Sequence, residues 1–447
     1  ISNAVLFFKI NDYKIPNDIL LIFKILTFQL INNLEYLKYG LTGNHAFNNA
    51  RALYLVSKLI SSNEIRLLSL EIFKERLKVL VSKDGFMREG SSHYHFLFTR
   101  WVLEIIWIAK YSNDNKALNL LIPYGRKLLS KCWFFLVQNQ ENNNWNYPII
   151  GDVSPDCSPK WLISMPWSNL ACEIYRPHII PSTPKNIGWT KLFGEVLNKE
   201  ITDQNLKINF SSSCGWHRVE ILNWILFTYA PKKEPKIIAT HSHLDLCSFV
   251  LFHKGKSIII DTGRSDYTNS ILSKYGKSVN SHNSLLINDI GPESEIFSWM
   301  HPLYLKNKSN LKIKKNRNKI SIYINHNGFE RICFKNIKHK RKIILSKKFV
   351  QIEDSINGKG EAIVKNFFNF SPDLQLIKNK NKIFKFSDQI IFMSDKKSTL
   401  IKQSSILNND ISGACYHEYG VKKPIFKLEL ETKKSLPLSV INKVILN

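Results

Sequence analysis

The stretch "HSHLDLCSFVLFHKGKSIIIDTG" (residues 241–263) decides how this chain is to be read. Two apolar runs, "SFVLF" and "SIII", flank a Lys-Gly pair, the pattern of a β-hairpin in which a tight turn reverses the chain. Ahead of the hairpin stand His241, His243 and Asp245 at alternating positions. If the strand extends back through them, all three side chains project from one face. Such a set can bind a metal, share a proton or grip an anion, and it can equally be a group of solvated polar residues.

Working outward, the texture on either side differs. From about residue 206 short β-rich runs alternate with turn residues: "NWILFTYAP" (223–231), "HNSLLIND" (282–289), "NKISIYINHNG" (318–328), "RKIILSKKFVQIEDSINGKG" (341–360), "AIVKNFFNF" (362–370) and "KIFKFSDQIIFMSD" (382–395). Even spacing without intervening helices predicts an antiparallel β-sandwich. Upstream, apolar residues recur at three- and four-residue steps in "NNARALYLVSKLI" (48–60), "NEIRLLSLEIFKERLKVLVS" (63–82), "HFLFTRWVLEIIWIAKYS" (95–112) and "GRKLLSKCWFFLVQN" (125–139). Those steps predict amphipathic helices packed on one another as a bundle or toroid. The expected division is a helical domain over 1–205 and a sandwich domain over 206–447. "ILLIFKILTFQLI" (19–31), broken by Lys24 and Gln29, is too short and too polar to span a membrane and reads as a buried helix. "NYPIIGDVSPDCSPKW" (146–161) reads as a functional loop, and "PSTPKNIGWTKLFGE" (181–195) as the end of the helical part.

Composition narrows the function classes. The 447 residues suffice for two domains, and 44% hydrophobic with 22% charged residues is ordinary for a folded protein. The net charge of +27 is not. A surface so basic attracts polyanions, whether nucleic acid, anionic lipid or acidic polysaccharide; a chain-wide bias toward Lys, Asn and Ile is the plain alternative source of the charge. No nucleic-acid-binding motif accompanies it. Seven cysteines without a CxxC pair argue against a thiolate zinc cluster and against a disulfide framework.

Two upstream stretches carry candidate chemistry. In "GLTGNHAFNNARAL" (40–53), Asn44 and His45 follow a glycine turn and open a helix. An amide beside an imidazole can hold a carboxylate, and Asn44 can equally cap the helix with His45 left on the surface. In "DGFMREGSSHYHFLFTRW" (84–101), Arg88, Glu89, His93 and His95 surround Tyr94. Flanking imidazoles and a nearby arginine predict a lowered phenol pKa suited to proton transfer; the alternative is an aromatic helix start packed into the bundle. Downstream, Asp261 closes the hairpin and His282 follows in "SHNSLLI", so a His–Asp–His metal site from neighbouring strands is one further reading.

Taken together and in order, "GNHAFNNARAL", "DGFMREGSSHYHF", "HSHLDLCSFVLFHKGKSIIIDTG" and "SHNSLLI" resemble the heparinase II/III family of polysaccharide lyases, over roughly residues 40–290; "YHEYG" (416–420) adds a weaker match. The resemblance implies an N-terminal (α/α) toroid, expected to be incomplete, followed by an antiparallel β-sandwich, with the site between them. It implies β-elimination of an acidic, uronic-acid-containing polysaccharide such as a glycosaminoglycan, alginate or bacterial capsule. Asn44 and His45 would neutralise the uronate carboxylate, Tyr94 would shuttle protons and His241 would complete the catalytic set. Arg88, Glu89 and His95 are expected to contact substrate. His243, Asp261 and His282 would hold a structural divalent metal, zinc being the natural choice, and Asp245 has no role from the resemblance. Asn48 stands where some relatives carry an acid. The expected partner is the polysaccharide, with no nucleic acid and no membrane span, for a monomer or homodimer. The expected location is the periplasm or cell envelope, a cytoplasmic one staying open. A non-catalytic surface-polysaccharide protein on the same scaffold is the competing class.

Overall fold

A computed structural model of the chain describes residues 1–10, 13–37, 42–142, 144–164, 210–211, 214–231, 241–293, 309–330, 336–395, 400–404 and 411–447. The expected boundary near 205 and the segment 181–195 lie outside the described residues.

The helical part contains α1 (Ser2–Ile10), α2 (Asn17–Asn32), α3 (Asn44–Ile60), α4 (Asn63–Leu80), α5 (Ser92–Tyr111), α6 (Asn115–Phe135) and the short α7 (Pro159–Ser164). Polar residues start the longer ones: Ser62, Ser91 and Asp114 accept hydrogen bonds from Ile65, Tyr94 and Ala117 backbone N–H groups. Helix α5 is buried on nearly every side, the mark of a helix at the centre of a bundle. Helix α2 departs from expectation. It forms where its apolar run predicts, but buries only Phe23 and Thr27 and leaves Leu21, Ile22, Ile25 and Phe28 exposed. Its apolar residues encircle the axis, so one packing face cannot cover them. No helix among the described residues is long and apolar enough to cross a membrane.

After α6 a small hairpin, β1 (Val137–Gln138) with β2 (Trp145–Asn146), leads into the loop that ends at α7. The β-rich part follows. A five-stranded antiparallel sheet runs in order through β3 (Phe210–Ser211), β4 (Trp216–Ile221), β5 (Trp224–Tyr229), β6 (Phe249–His253) and β7 (Lys256–Ile259). It lies between two cores. Trp216, Phe227, Val250 and Phe252 pack with the helices, while Trp224, Leu226, Phe249 and Leu251 face the larger sheet. That double burial explains the near-continuous apolar runs of β5 and β6. Helix α8 (Ile271–Lys277) separates β7 from β8 (Leu285–Ile287).

The larger sheet has eight strands. It contains β9 (Ser309–Asn316), β10 (Lys319–His326), β11 (Lys338–Ser346), β12 (Phe349–Asn357), β14 (Leu376–Lys380), β15 (Ile383–Phe386), β16 (Ile390–Met393) and β21 (Leu438–Leu446). Its order is β14-β15-β16-β21-β12-β11-β10-β9. Against it pack the five-stranded sheet and a four-stranded one. The latter joins β17 (Leu400–Ser404), β20 (Lys427–Ser435), β13 (Glu361–Asn369) and β8. A last hairpin, β18 (Ala414–Glu418) with β19 (Val421–Pro424), carries "YHEYG".

One buried ion pair fastens this sandwich to the loop that carries His241 and His243. Arg341 on β11 is fully buried and grips Asp354 on β12 through Nε at 2.7 Å and Nη2 at 3.0 Å. Its Nη1 donates to the carbonyls of Cys247 at 2.8 Å and Asn283 at 2.6 Å. Asn283 in turn donates to the carbonyls of Phe249 and Ile260. Burial alone would raise the Asp354 carboxyl, but Arg341 and His339 hold it well below the usual carboxylate range. A depressed folded-state pKa stabilises above the ordinary value near ~3.9 and is lost as the pH falls below it. We expect Asp354→Ala, which strands Arg341, to cost about 3–5 kcal/mol in urea unfolding at neutral pH. Asp354→Asn should show a shallower loss of stability between about pH 5 and pH 2 than the parent chain.

Candidate active site

The catalytic candidates come from three separate elements. Asn44 is the first residue of α3, Tyr94 lies in the first turn of α5, and His241 sits in the loop before β6. The Tyr94 and His241 rings stack with centroids 3.5 Å apart and planes 14° from parallel. Asn44 Nδ2 lies 3.1 Å from His241 Nε2. The same amide also donates to Glu89, whose other oxygen accepts the Asn44 backbone N–H at 2.8 Å.

The residue that organises this group is Asp152, in the loop flagged at 146–161 but not singled out by the sequence. One of its oxygens lies 3.2 Å from His241 Nδ1, the other 2.9 Å from His243 Nε2. Arg264 approaches the first oxygen at 3.4 Å. Burial would raise the Asp152 carboxyl, yet the hydrogen bonds from His241 and His243 hold it far below the usual range. An ionised carboxylate accepts, so each histidine donates from the nitrogen facing Asp152 and presents the other as a lone pair. For His241 that lone pair is Nε2, beside Asn44 and Tyr94.

Two glycines let three loops meet here. Gly90 and Gly151 have φ of +76° and +78°. A Cβ on Gly90 would stand 2.5 Å from the Ser242 Cβ, and one on Gly151 would stand 2.6 Å from the His241 carbonyl. Backbone bonds complete the junction: Asp152 N–H to His241 O at 2.9 Å, and Ser92 N–H to Ile150 O at 3.0 Å.

The premise of a single strand face fails. Residues 241–248 form an irregular loop, with Cys247 at φ +66°, and β6 starts only at Phe249. His241 and His243 come together because one carboxylate binds both, not because of strand periodicity. Asp245 turns inward; burial pushes its carboxyl well above the usual range, and its Oδ2 has no hydrogen-bond partner.

Other expectations are corrected as well. His45 points away from the cluster: its side chain is 63% exposed and pairs with Glu35 at 2.9 Å, because the helical turn after Asn44 rotates it to the outer face. The Tyr94 phenol is raised rather than lowered, since burial outweighs its hydrogen bonds and the carboxylates of Asp152 and Asp156 raise it further. His93 and His95 do not act on it. His93 meets the Tyr147 hydroxyl at 3.0 Å; His95 bonds Met87 N–H and Leu128 O within the core, where burial lowers its imidazole to about 3. His95 is therefore a core residue rather than a substrate contact. Glu89 is fully buried behind Asn44 and holds that residue rather than substrate. Arg88 is half-buried near Tyr229, with its Nε shielded from solvent.

Sequence reasoning missed Tyr267 and Arg264, which follow Asp261 in "DTGRSDY". The Tyr267 hydroxyl donates to Val153 O at 2.9 Å and lies 2.8 Å from the Tyr94 hydroxyl, so the Tyr94 O–H donates to Tyr267. The Arg264 guanidinium stands 5.1 Å from the Tyr267 ring. Below this loop, "YHEYG" closes against it: His417 donates to Asp261 O at 2.7 Å, and Tyr419 accepts the Tyr267 N–H at 3.1 Å. The signal available for these residues was proximity in sequence to Asp261.

A metal would fit at His243, Asp261 and His282. One donor atom from each lies within 4.8 Å of the others. His282 Nδ1 meets Asp261 Oδ2 at 2.7 Å, and both His243 Nδ1 and His282 Nε2 are buried without a partner. Two buried nitrogens with no hydrogen bond, each on a ring held by a carboxylate, match the chemistry of a metal ligand pair.

A helical toroid followed by an antiparallel β-sandwich, with polar groups gathered where they meet, is the architecture this geometry defines. The chain matches the heparinase II/III-like C-terminal family over residues 204–427 and belongs to that family. Its fold is similar to a solved heparinase III, with a TM-score of 0.68, 18% identity, and cover of 96% of this chain and 64% of that one. A second heparinase III, the BT4657 gene product, gives 0.67, 15%, 96% and 62%. The heparan sulfate lyase HepC from Pedobacter heparinus gives 0.63, 15%, 96% and 63%. The chain thus spans less than two-thirds of the length of these structures. No curated protein sequence matches it.

We expect Gly151→Ala to lower stability by more than Gly360→Ala. At Gly360, with φ +76° and nothing near its Cβ position, the cost is the left-handed backbone alone, about 1–2 kcal/mol. Thermal unfolding of the two variants measures the difference, which reflects displacement of the His241 carbonyl.

Proposed function

We propose that this protein is a polysaccharide lyase that cleaves an acidic, uronate-containing polysaccharide by β-elimination. The observation that carries the reading is the convergence of Asn44, Tyr94 and His241, the last with its Nδ1–H directed at Asp152. Elimination removes the proton alpha to the uronate carboxylate, breaks the carbon–oxygen bond beta to it and delivers a proton to the leaving oxygen, forming a carbon–carbon double bond. It needs a base, an acid and a group that neutralises the carboxylate.

Each has a candidate here. His241 Nε2 is the basic lone pair, its opposite nitrogen fixed by Asp152. Tyr94, a phenol that burial keeps protonated, is the acid for the leaving oxygen. Asn44 neutralises the carboxylate: when the uronate arrives, the amide N–H now given to His241 turns to it, which frees Nε2 for the proton. Arg264, with a side chain 15% exposed beside Asp152, adds positive charge. His45 has no part in this arrangement.

A divalent ion held by His243, Asp261 and His282 would fasten the loop before β6 to the chain after β7, and zinc suits two imidazoles with a carboxylate. Its contribution would be structural: Asp152 grips His243 and His241 together, so fixing the one would fix the other.

Incubation with heparan sulfate, hyaluronan, alginate and bacterial capsules, followed by ultraviolet absorbance of the unsaturated uronate, tests the activity. Tyr94→Phe should lower kcat by about 10²–10⁴ with a folded protein retained. Turnover unchanged in Tyr94→Phe sinks this mechanism, and absence of product on every uronate polymer favours the glycan-binding class. For the metal, elemental analysis of the purified protein should find about one divalent ion per chain, lost in His243→Ala; a metal-free parent chain overturns the assignment.

A further inference from the structure

The outward face of the eight-stranded sheet carries an organised cationic patch remote from the site above. Tyr323 on β10 stands directly across from Lys312 on β9 and from Lys342 on β11. The ammonium groups of Lys314, Lys340 and Lys342 lie 5.8, 5.2 and 5.9 Å from its ring centroid. No two of the three are therefore more than about 12 Å apart, within about one and a half Debye lengths (~8 Å) at physiological salt. A second ring repeats the arrangement along the same face: Phe349 on β12 lies 5.9 Å from the Lys319 ammonium and 5.6 Å from that of Lys443.

Carboxylates do not balance this charge. At the outward positions of β9 to β12 and β21 the one acid is Glu353, which reaches Lys342 at 3.5 Å. Like charges on neighbouring strands destabilise a sheet, and the rings offset only part of that repulsion. Lys312, Lys314 and Lys340 are exposed, so a ligand can reach them. A flat, two-ringed, lysine-rich face fits a linear polyanion, whose charges recur along its length and whose sugar rings can cover an aromatic face.

We propose that the Tyr323–Phe349 face of the large sheet is an exosite for an acidic polysaccharide chain. It binds polymer outside the cleft, so it raises affinity for long chains and leaves the turnover of short ones unchanged. The choice of a glycan over nucleic acid rests on the lyase reading; the patch itself does not.

The test compares Lys314→Gln/Lys340→Gln/Lys342→Gln with a control of equal charge, Lys378→Gln/Lys380→Gln/Lys385→Gln, whose lysines are exposed on β14 and β15 at the opposite edge. Binding of size-fractionated heparan sulfate is measured by calorimetry at several salt concentrations, and of a 20-base-pair DNA duplex alongside. The patch variant should lose at least tenfold in affinity for the long polymer and show a flatter dependence on log salt, while the control changes less than threefold. Equal losses in both variants overturn the proposal, since the effect is then diffuse charge. Patch-dependent binding of the duplex as tight as that of the polymer overturns the choice of glycan. Turnover of a uronate tetrasaccharide, read separately, should match the parent in the patch variant; a matching loss there also overturns the exosite. If no uronate substrate is cleaved yet polymer binding depends on the patch, the exosite stands and the lyase reading falls.

Discussion

Everything at the candidate site hangs on one buried carboxylate. Asp152 accepts from His241 with one oxygen and from His243 with the other. A single ionised group thereby sets the tautomer of the ring stacked on Tyr94 and of the ring turned toward Asp261 and His282. In a low-dielectric interior an unpaired carboxylate would be expensive; two imidazole donors and the nearby Arg264 make its ionised form the favoured one. The arrangement couples the two rings, because any movement of His243 is passed through Asp152 to His241.

Around that carboxylate the protein has built a rigid frame out of parts distant in sequence. Gly90 and Gly151 permit the α5 entry, the 146–161 loop and the 241–248 loop to touch without side chains between them. Arg341 and Asn283 fix the backbone on the far side by donating to the carbonyls of Cys247, Asn283, Phe249 and Ile260. Such buried, fully used polar groups do more for uniqueness than for net stability: an apolar replacement could fill the space, but it could not hold loop carbonyls at set positions. The five-stranded sheet, buried on both faces, is the common wall of the helical and sandwich cores.

Much of the fold is legible in local sequence patterns. Helical periodicity located α3, α4, α5 and α6, and the Lys-Gly turn located the β6–β7 hairpin, since both depend on local spacing of apolar residues. Helix α2 shows the limit: its apolar run predicted a helix correctly, but burial depends on what else packs there. The site was legible only in outline. Asn44, Tyr94 and His241, noted in separate stretches, do come together in the fold, whereas His45 turns outward and His95 serves the core. Asp152, Tyr267 and Arg264 escaped because an aspartate, tyrosine or arginine in a loop carries no signature until its partners are known.

The sequence by itself determined where helices and strands form, the order of the two domains and the residue types available for proton transfer. These follow from periodicity, turn chemistry and side-chain identity, all of which are local. Only the tertiary structure decided that His241 stacks on Tyr94, that His243 turns toward His282, and that Tyr94 is kept protonated rather than ionised. The physical reason is that pKa, tautomer and orientation are set by burial and by hydrogen-bond partners brought from far along the chain. "HSHLD" supplied two imidazoles; a carboxylate about ninety residues upstream fixed which nitrogen of each is left as a lone pair.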